Sequence, residues 1–205
     1  MTRQKTIEEI NLLGSHPALD FVNTVDSRGE RWGPEFLNSY ADLVTWARRV
    51  DIVDEEEQRT LLALAKRSPS DAQKELICAR ELREALHRIF LVEAQSKPVR
   101  EKDLELLNEA TRRAQAQRAL FCRGNAIEWR RLPAIQMNAV ATRVCLLAAD
   151  LLTSRWSRRP IQVCEGTNCG WLFLDHSRNG RRRWCSDRTC GSHARVRKFR
   201  AVRVK

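Results

Sequence analysis

Apolar side chains recur at three- and four-residue intervals along most of the first 150 positions, the spacing of one face of an α-helix. Ser39 is placed to cap a helix over 37–50, and Asp54 opens an acidic first turn that favours the next helix. A longer stripe restarts at Ser68 and is expected to end at Pro98, because proline cannot continue a helix. Further helices are predicted over 101–118 and, as a buried helix, from about Ala134 to Thr153.

Between these last two helices the apolar pattern changes to a period of two. A glycine-first pair, Gly124-Asn125, separates two short alternating segments, which predicts a β-hairpin. We therefore expect the first 154 residues to form a mainly α domain with one small β-hairpin. The alternating positions are Leu120, Cys122, Ile127 and Trp129.

The excess of positive charge lies at the C-terminal end of the chain. The formal net charge is +11, and residues 155–205 hold 14 of the 37 Lys and Arg residues but three of the 26 Asp and Glu residues. Such asymmetry indicates contact with a polyanion, above all nucleic acid, although a solvated basic tail that only aids solubility is the alternative. The basic, proline-terminated segment Ser154–Pro160 is the expected boundary between domains 1–154 and 155–205.

Four of the seven cysteines form two matched pairs near the C-terminus. Cys164 and Cys169 are separated by four residues, as are Cys185 and Cys190, with 15 residues between the pairs. Two short loops that bring four thiolates to one point suit structural zinc, whose closed tetrahedral shell leaves no position for substrate. A pair of disulfides would need an oxidising compartment, and the polar N-terminus resembles no secretory signal. We expect zinc, a cytoplasmic protein and no membrane span.

The other three cysteines, Cys78, Cys122 and Cys145, lie among apolar residues and are expected to be buried packing residues. Between the zinc pairs, 171–175 predicts a strand, with 181–184 returning as its hairpin partner. Trp171, Phe173 and Trp184 either form the small core of this module or stack on bases.

A basic helix is expected to follow Gly191, with Val196 and Phe199 against the zinc knuckle and the cations facing outward. A basic helix that leaves a metal knuckle is suited to contact phosphates and a nucleic-acid groove. The candidate nucleic-acid-binding residues are Arg178, Arg181, Arg182, Arg183, Arg195, Arg197, Lys198 and Arg200.

The first 154 residues carry no recognisable catalytic constellation. His16 and His87 are isolated in sequence, and there is neither a paired His/Glu metal helix nor a nucleophile elbow. We therefore expect a protein that is not an enzyme. An enzyme with its active site around Asp20 and Asn23 is the functional class that the sequence supports least.

The segment Cys164-x4-Cys169-Gly-Trp-Leu-Phe-Leu-Asp175-x-Ser177-Arg-Asn-x-Arg-Arg-Arg-Trp184-Cys185-x4-Cys190-Gly191 closely resembles the CGNR zinc finger. That module ends bacterial proteins described as stress-induced transcription regulators. The resemblance implies a treble-clef-like zinc module that binds duplex DNA. The chain departs from the pattern after Gly191, where Ser192-His193 replaces the Asn-Arg of the family motif.

Upstream, Gly14-Ser-His-Pro-Ala-Leu-Asp20-Phe-Val-Asn23-Thr24 and Asp42-Leu-Val-Thr-Trp46-Ala resemble the ABATE domain, to which small-molecule sensing is ascribed. This resemblance implies a ligand site, whereas residue chemistry alone favours a helix-capping network for the same polar groups. The candidate ligand-binding residues are Asp20, Asn23, Thr24 and Trp46. The sequence thus indicates a DNA-binding transcription regulator with a small-molecule effector; the alternative is an RNA- or ribosome-associated zinc-binding protein.

Overall fold

The computed structural model describes residues 5–131 and 135–203, and over these the chain is mainly α with two small antiparallel hairpins, as expected. No helix in these two ranges is both long and apolar enough to cross a membrane. The elements are α1 (Pro17–Val22), α2 (Tyr40–Arg49), α3 (Glu55–Arg67), α4 (Pro69–Ala94), α5 (Glu101–Gln115), β1 (Arg118–Arg123), β2 (Ala126–Arg131), α6 (Ala139–Thr153), β3 (Ile161–Val163), β4 (Leu172–Leu174) and α7 (Ser192–Arg203).

Two helix starts follow directly from the local sequence. Ser39 accepts a hydrogen bond from the backbone N–H of Asp42 at 3.1 Å, and the Asp42 carboxylate accepts from the Ser39 N–H at 2.7 Å. Asp54 and Glu57 form the same reciprocal pair at the start of α3. Each capping box satisfies two backbone donors that the first helical turn leaves free.

The expected helix ends are less accurate. α4 ends at Ala94, four residues before Pro98, because Ser96 takes a left-handed backbone conformation with φ 54°. α5 ends at Gln115 rather than Arg118, where strand β1 begins. α6 begins at Ala139, and the expected start at Ala134 lies outside the described residues.

The apolar core extends across both halves of the chain. The 26-residue helix α4 contacts α1, α2, α3, α5, α6 and β3, so it lies centrally in the molecule. Ile161, Leu172 and Leu174 of the β3–β4 hairpin are buried in the same apolar cluster as Leu19, Phe21 and the α4 side chains. The zinc-bearing segment is therefore anchored in the main core by its own hairpin.

The β1–β2 hairpin forms with the expected turn. Leu120 pairs with Trp129 and Cys122 with Ile127, and Gly124 adopts φ 59°, a left-handed conformation that favours glycine. The expectation that all three remaining cysteines are buried is wrong for two of them. Cys122 is exposed on this hairpin and Cys78 on the solvent side of α4, whereas Cys145 is buried.

The predicted pairing within the zinc-bearing segment is wrong. β4 pairs with β3, which precedes the first cysteine, in the register Ile161↔Leu174 and Val163↔Leu172. Residues 181–184 are not a strand. The hairpin therefore encloses the loop of the first cysteine pair, which fixes that loop at the edge of the main core.

Candidate metal centre and basic surface

The four paired cysteines converge on one point. Their Sγ atoms all lie within 4.8 Å of one another, with 3.7 Å between Cys169 and Cys185 and 3.8 Å between Cys185 and Cys190. A tetrahedral zinc ion with Zn–S bonds of about 2.3 Å holds its sulfurs about 3.8 Å apart. These separations are far beyond the ~2 Å of an S–S bond. The donor set and its spacing fit zinc, and the chain is a zinc-binding protein.

Glycine allows the two cysteine loops to approach closely. A Cβ atom on Gly166 would lie 2.6 Å from the Sγ of Cys190, so a larger residue there would push the two loops apart. The backbone N–H groups of Gly166 and Cys185 point at the Sγ of Cys164, at 3.4 and 3.2 Å. Such N–H···S contacts orient the sulfurs and stabilise negative charge on them.

The charge of the site calls for a cation. Contacts from the Cys169 and Cys185 thiols, together with backbone N–H groups, hold the pKa of the Cys164 thiol well below its usual range. The same sharing of protons with Cys164 raises the pKa of the Cys185 thiol. Like charges this close cannot all ionise unaided, whereas a divalent ion stabilises all four thiolates together.

A buried carboxylate organises the arginine-rich turn after β4. Asp175 is fully buried and accepts hydrogen bonds from the backbone N–H groups of Ser177 and Arg182, each at 2.9 Å. Burial alone would raise the pKa of Asp175, but hydrogen bonds from Ser177 and Arg182 outweigh it and leave the pKa below its usual range. Asp175 therefore holds the turn as a charged group.

Three of the eight candidate nucleic-acid contacts are engaged within the module. Arg182 donates to the carbonyl oxygens of Trp184 and Cys185, and its guanidinium lies 4.4 Å from the ring centre of Phe173. Arg183 pairs with Glu165 at 2.7 Å, and Arg195 pairs with Asp187 at 2.7 Å. These contacts brace the loops around the metal.

The other five candidates are exposed and have no acidic partner in the described part of the chain: Arg178, Arg181, Arg197, Lys198 and Arg200. Arg188 was not among the eight predicted nucleic-acid contacts, but it is also exposed, between Cys185 and Cys190. A basic residue within a cysteine loop could have been predicted as a contact from the sequence.

Helix α7 extends into solvent instead of packing against the zinc knuckle. Every residue from Arg195 to Arg200 is exposed, including Val196 at 45% and Phe199 at 58%. The predicted packing of Val196 and Phe199 on the knuckle is therefore wrong. Trp171 and Phe173 fill the small core around the cysteines instead, with Trp184 partly buried beside them.

The four candidate ligand-binding residues are all buried. Asn23 forms two hydrogen bonds with strand β4. Its Nδ2 donates to the Leu172 oxygen at 2.8 Å, and its Oδ1 accepts from the Leu172 N–H at 3.0 Å. Asp20 accepts from the Gly14 N–H at 2.8 Å. Burial raises the pKa of Asp20 to about 6, against the opposing effects of Gly14 and Arg49.

Thr24 donates to the Phe21 carbonyl oxygen at 2.7 Å and lies 3.2 Å from a guanidinium nitrogen of Arg83. The Trp46 ring lies 5.1 Å from that of Phe21, and its indole nitrogen has no partner among the described residues. None of the four candidates lines the cavity of about 660 Å³ formed between α3, α5, α6 and the β1–β2 hairpin.

The loop after α1 is bound to the first cysteine loop. The indole nitrogen of Trp171 donates to the Val25 oxygen at 2.7 Å, and the Arg28 N–H donates to the Cys169 oxygen at 2.9 Å. The Asn168 side chain accepts from the Arg31 N–H at 2.7 Å and donates to the Arg31 oxygen at 2.9 Å. The loop over 23–31 therefore joins the helical part of the chain to the metal centre.

Buried arginines hold the segment between α1 and α2 on α4. The Arg83 side chain is 1% exposed and forms two 2.7 Å hydrogen bonds with the Glu35 carboxylate. Arg28 pairs with Glu84 at 2.7 Å and donates to the Val22 oxygen. The sequence did not predict these pairs, because their partners are 48 and 56 positions apart and are brought together only by folding.

The comparisons with known proteins agree with the two halves of the molecule. No curated protein matches the chain. A family profile for the CGNR zinc finger matches residues 161–203, which contain all four cysteines of the metal centre. The ABATE profile, described as "Putative stress-induced transcription regulator", matches residues 15–155. The chain therefore belongs to the ABATE family and carries a CGNR zinc finger at its C-terminal end.

Proposed function

We propose that this protein is a transcription regulator that binds duplex DNA through its zinc module. The observation that carries the proposal is the set of five exposed cations that have no acidic partner among the described residues, and these lie on α7 and on the turn held by Asp175. The other three candidate arginines are already neutralised or hydrogen-bonded within the module. Among the eight candidates, the charge that is not engaged within the module thus lies on one helix and one turn beside the metal.

Helix α7 has the form that groove binding requires. It begins immediately after the second cysteine loop and is exposed from Arg195 to Arg200. The B-DNA major groove admits an α-helix, and arginine and lysine supply both phosphate contacts and guanine-specific contacts. The zinc centre fixes the start of the helix, so its cations approach DNA from a defined direction.

We propose further that the helical domain binds a small-molecule effector, which regulates the protein. The cavity of about 660 Å³ between α3, α5, α6 and the β1–β2 hairpin has the size of ordinary small-molecule sites. Both Arg143 and Trp129 line it, offering a charged group and an aromatic surface. Asp20, Asn23 and Thr24 are held by internal hydrogen bonds and Trp46 is buried against Phe21, so we favour this cavity over these four candidates.

The test of DNA binding compares two triple variants of the zinc-loaded protein by fluorescence anisotropy. In the first, Arg197, Lys198 and Arg200 are changed to alanine. The control changes three exposed cations of the helical domain, Lys66, Arg67 and Lys74, to alanine. Both remove three positive charges, so they differ in where the charge is removed.

If α7 contacts phosphates, the first triple variant should weaken duplex binding at least tenfold and reduce the slope of log K against log salt by about 2.7. The control should change neither quantity appreciably. Equal effects of both variants would show that net charge alone drives binding. A preference for structured RNA over duplex DNA at matched salt would favour the RNA-associated alternative.

A further inference from the structure

Three of the four zinc ligands line a second cavity, at the edge of the metal centre. This cavity of about 290 Å³ lies between the N-terminal segment, the loop over 23–31 and the two cysteine loops, and it opens to solvent. Cys169, Cys185 and Cys190 line it, whereas Cys164 is buried on the covered side of the centre. One face of the sulfur cluster is therefore accessible to small solutes.

The walls of this cavity admit polar molecules. Beside several apolar side chains, the lining includes the hydroxyl-bearing residues Ser27, Thr167 and Thr189 and the amide of Asn11. A water molecule takes about 30 Å³ in the liquid, so a molecule as small as hydrogen peroxide fits easily. Such a molecule would reach the sulfurs without any opening of the fold.

The four sulfurs differ in how well they are protected. Cys190 is partly exposed, whereas the other three are buried. The Sγ of Cys164 accepts hydrogen bonds from the backbone N–H groups of Gly166 and Cys185, and no backbone N–H reaches the Sγ of Cys185 or Cys190 within the described residues. Hydrogen bonds that stabilise a thiolate lower its nucleophilicity. Cys190 is therefore the sulfur that a solute meets first and is among the most nucleophilic.

A second sulfur is placed to react with the first. The Sγ of Cys185 lies 3.8 Å from that of Cys190 and belongs to the same cysteine loop. A disulfide needs an S–S distance of about 2 Å, so the two sulfurs must approach by roughly 2 Å, within one short loop. Cys169 is also 3.7 Å from Cys185, but it is buried and lies in the other loop.

We propose that Cys185 and Cys190 form a peroxide-reactive pair, whose oxidation to a disulfide releases the zinc ion. The Cys190 thiolate attacks one oxygen of hydrogen peroxide, the O–O bond breaks, and a sulfenic acid and a hydroxide ion form. The Cys185 thiolate then attacks the sulfenic sulfur, which forms the S–S bond and expels a second hydroxide ion. The two thiolates thus supply the two electrons that reduce the peroxide.

The loss of two ligands has a direct structural consequence. Cys164 and Cys169 alone cannot complete the four-coordinate shell of a structural zinc site. Helix α7 begins at Ser192, two residues after Cys190, so oxidation releases the start of that helix from the metal centre. The reaction needs only the metal centre and does not depend on DNA binding.

The test uses the zinc-loaded full chain with Cys78→Ser and Cys122→Ser, which removes the two exposed thiols outside the metal centre. A zinc-responsive dye follows metal release after hydrogen peroxide is added, and peptide mass spectrometry identifies the disulfide. Zinc should leave in step with a Cys185–Cys190 disulfide, and dithiothreitol with added zinc should restore the site. Retention of zinc, or a disulfide that joins the two cysteine loops, would overturn the proposal.

A pair of matched variants tests entry through the cavity. Asn11 is exposed and lines the cavity, so Asn11→Trp narrows it, whereas Asn108→Trp makes the same change on the exposed side of α5. Asn11→Trp should slow the peroxide-driven release of zinc at least threefold, and Asn108→Trp should leave the rate unchanged. Zinc loss to a chelator without peroxide should proceed equally in both variants. Equal peroxide rates in the two variants would refute access by this route.

Discussion

At the scale of single residues, the side chains that matter most to the fold are polar and buried. Asn23 is the clearest case, because its amide satisfies both the N–H and the C=O group of Leu172. Asn23→Ala would leave two buried backbone groups without partners, at about 1–3 kcal/mol each. We expect a loss of roughly 2–5 kcal/mol in the free energy of unfolding, measured by urea denaturation.

The control is Asn38→Ala, which removes one exposed hydrogen bond to the Glu35 oxygen and should cost well under about 1 kcal/mol. Equal losses in the free energy of unfolding for the two variants would show that the contact of Asn23 with β4 stabilises the fold no more than an exposed hydrogen bond does.

A second residue-scale prediction concerns pH. Burial, followed by the positive charge of Arg28, lowers the pKa of His87 to about 4. The folded protein therefore keeps His87 neutral where the unfolded chain takes up a proton, below a pKa of about 6.5. The contribution of neutral His87 to the free energy of unfolding is therefore fully present above a pH of about 6.5. It is lost as the pH falls to about 4, and the total loss is about 3 kcal/mol.

Comparing the wild type with His87→Gln between pH 7.5 and 5 isolates this dependence, because both proteins share the acid titration of the zinc thiolates. The wild type should lose stability faster than the variant as the pH falls. Parallel curves would mean that His87 titrates as it does in the unfolded chain.

Cysteine spacing alone located the metal-binding residues, because the chemistry of zinc constrains both ligand type and loop length. The functions of Asn23 and Arg83 could not be read in the same way. Each depends on a partner brought close by folding, Leu172 for the first and Glu35 for the second.

At the scale of secondary-structure elements, the local sequence predicted where helices begin better than it predicted which strands pair. Capping residues act on their own helix, so Ser39 and Asp54 placed α2 and α3 correctly. The partner of β4 was mistaken because β3 and 181–184 are both close in sequence, and the choice depends on burial in the main core.

Helix α7 provides an element-scale prediction at the position where the chain departs from the family motif. His193 is exposed and precedes Arg197 by one helical turn, so it lies on the same side of α7 as that cation. His193→Arg should add a phosphate contact and tighten duplex binding severalfold at low salt. The midpoint of thermal unfolding should be nearly unchanged, because an exposed side chain contributes little to the stability of the fold.

His193→Ala serves as the comparison for lost side-chain volume without added charge. A large change in thermal midpoint with unchanged affinity in His193→Arg would instead assign this position to bracing of the zinc knuckle.

At the scale of the whole molecule, the zinc finger and the helical domain share one core. Ile161, Leu172 and Leu174 are buried in the main apolar cluster, and the loop over 23–31 is hydrogen-bonded to the first cysteine loop. A boundary at Ser154, which we proposed from charge and composition, therefore separates sequence regions that are packed together. Charge patterning reports on surfaces and does not reveal a shared interior.

Zinc removal should consequently affect the helices as well as the finger. We expect chelation to lower the thermal midpoint of helix unfolding, followed by far-UV circular dichroism, by about 5–10 °C. Tryptophan fluorescence should report the same midpoint. Cys185→Ser should reproduce the effect without chelator, whereas Cys78→Ser, on the surface of α4, should not. Helices that melt at the same temperature with and without zinc would show that the finger is an independent unit.

The bond between Asn23 and Leu172 also has a consequence for synthesis on the ribosome. The two residues are 149 positions apart, so Asn23 must wait until those residues have been translated before its partner exists. At about 5–20 residues per second, that interval lasts on the order of 10–30 seconds. Until then the nascent helical domain has neither β4 nor a metal site to cover its edge. Nascent-chain folding of this protein should therefore finish only after the zinc ligands have left the exit tunnel.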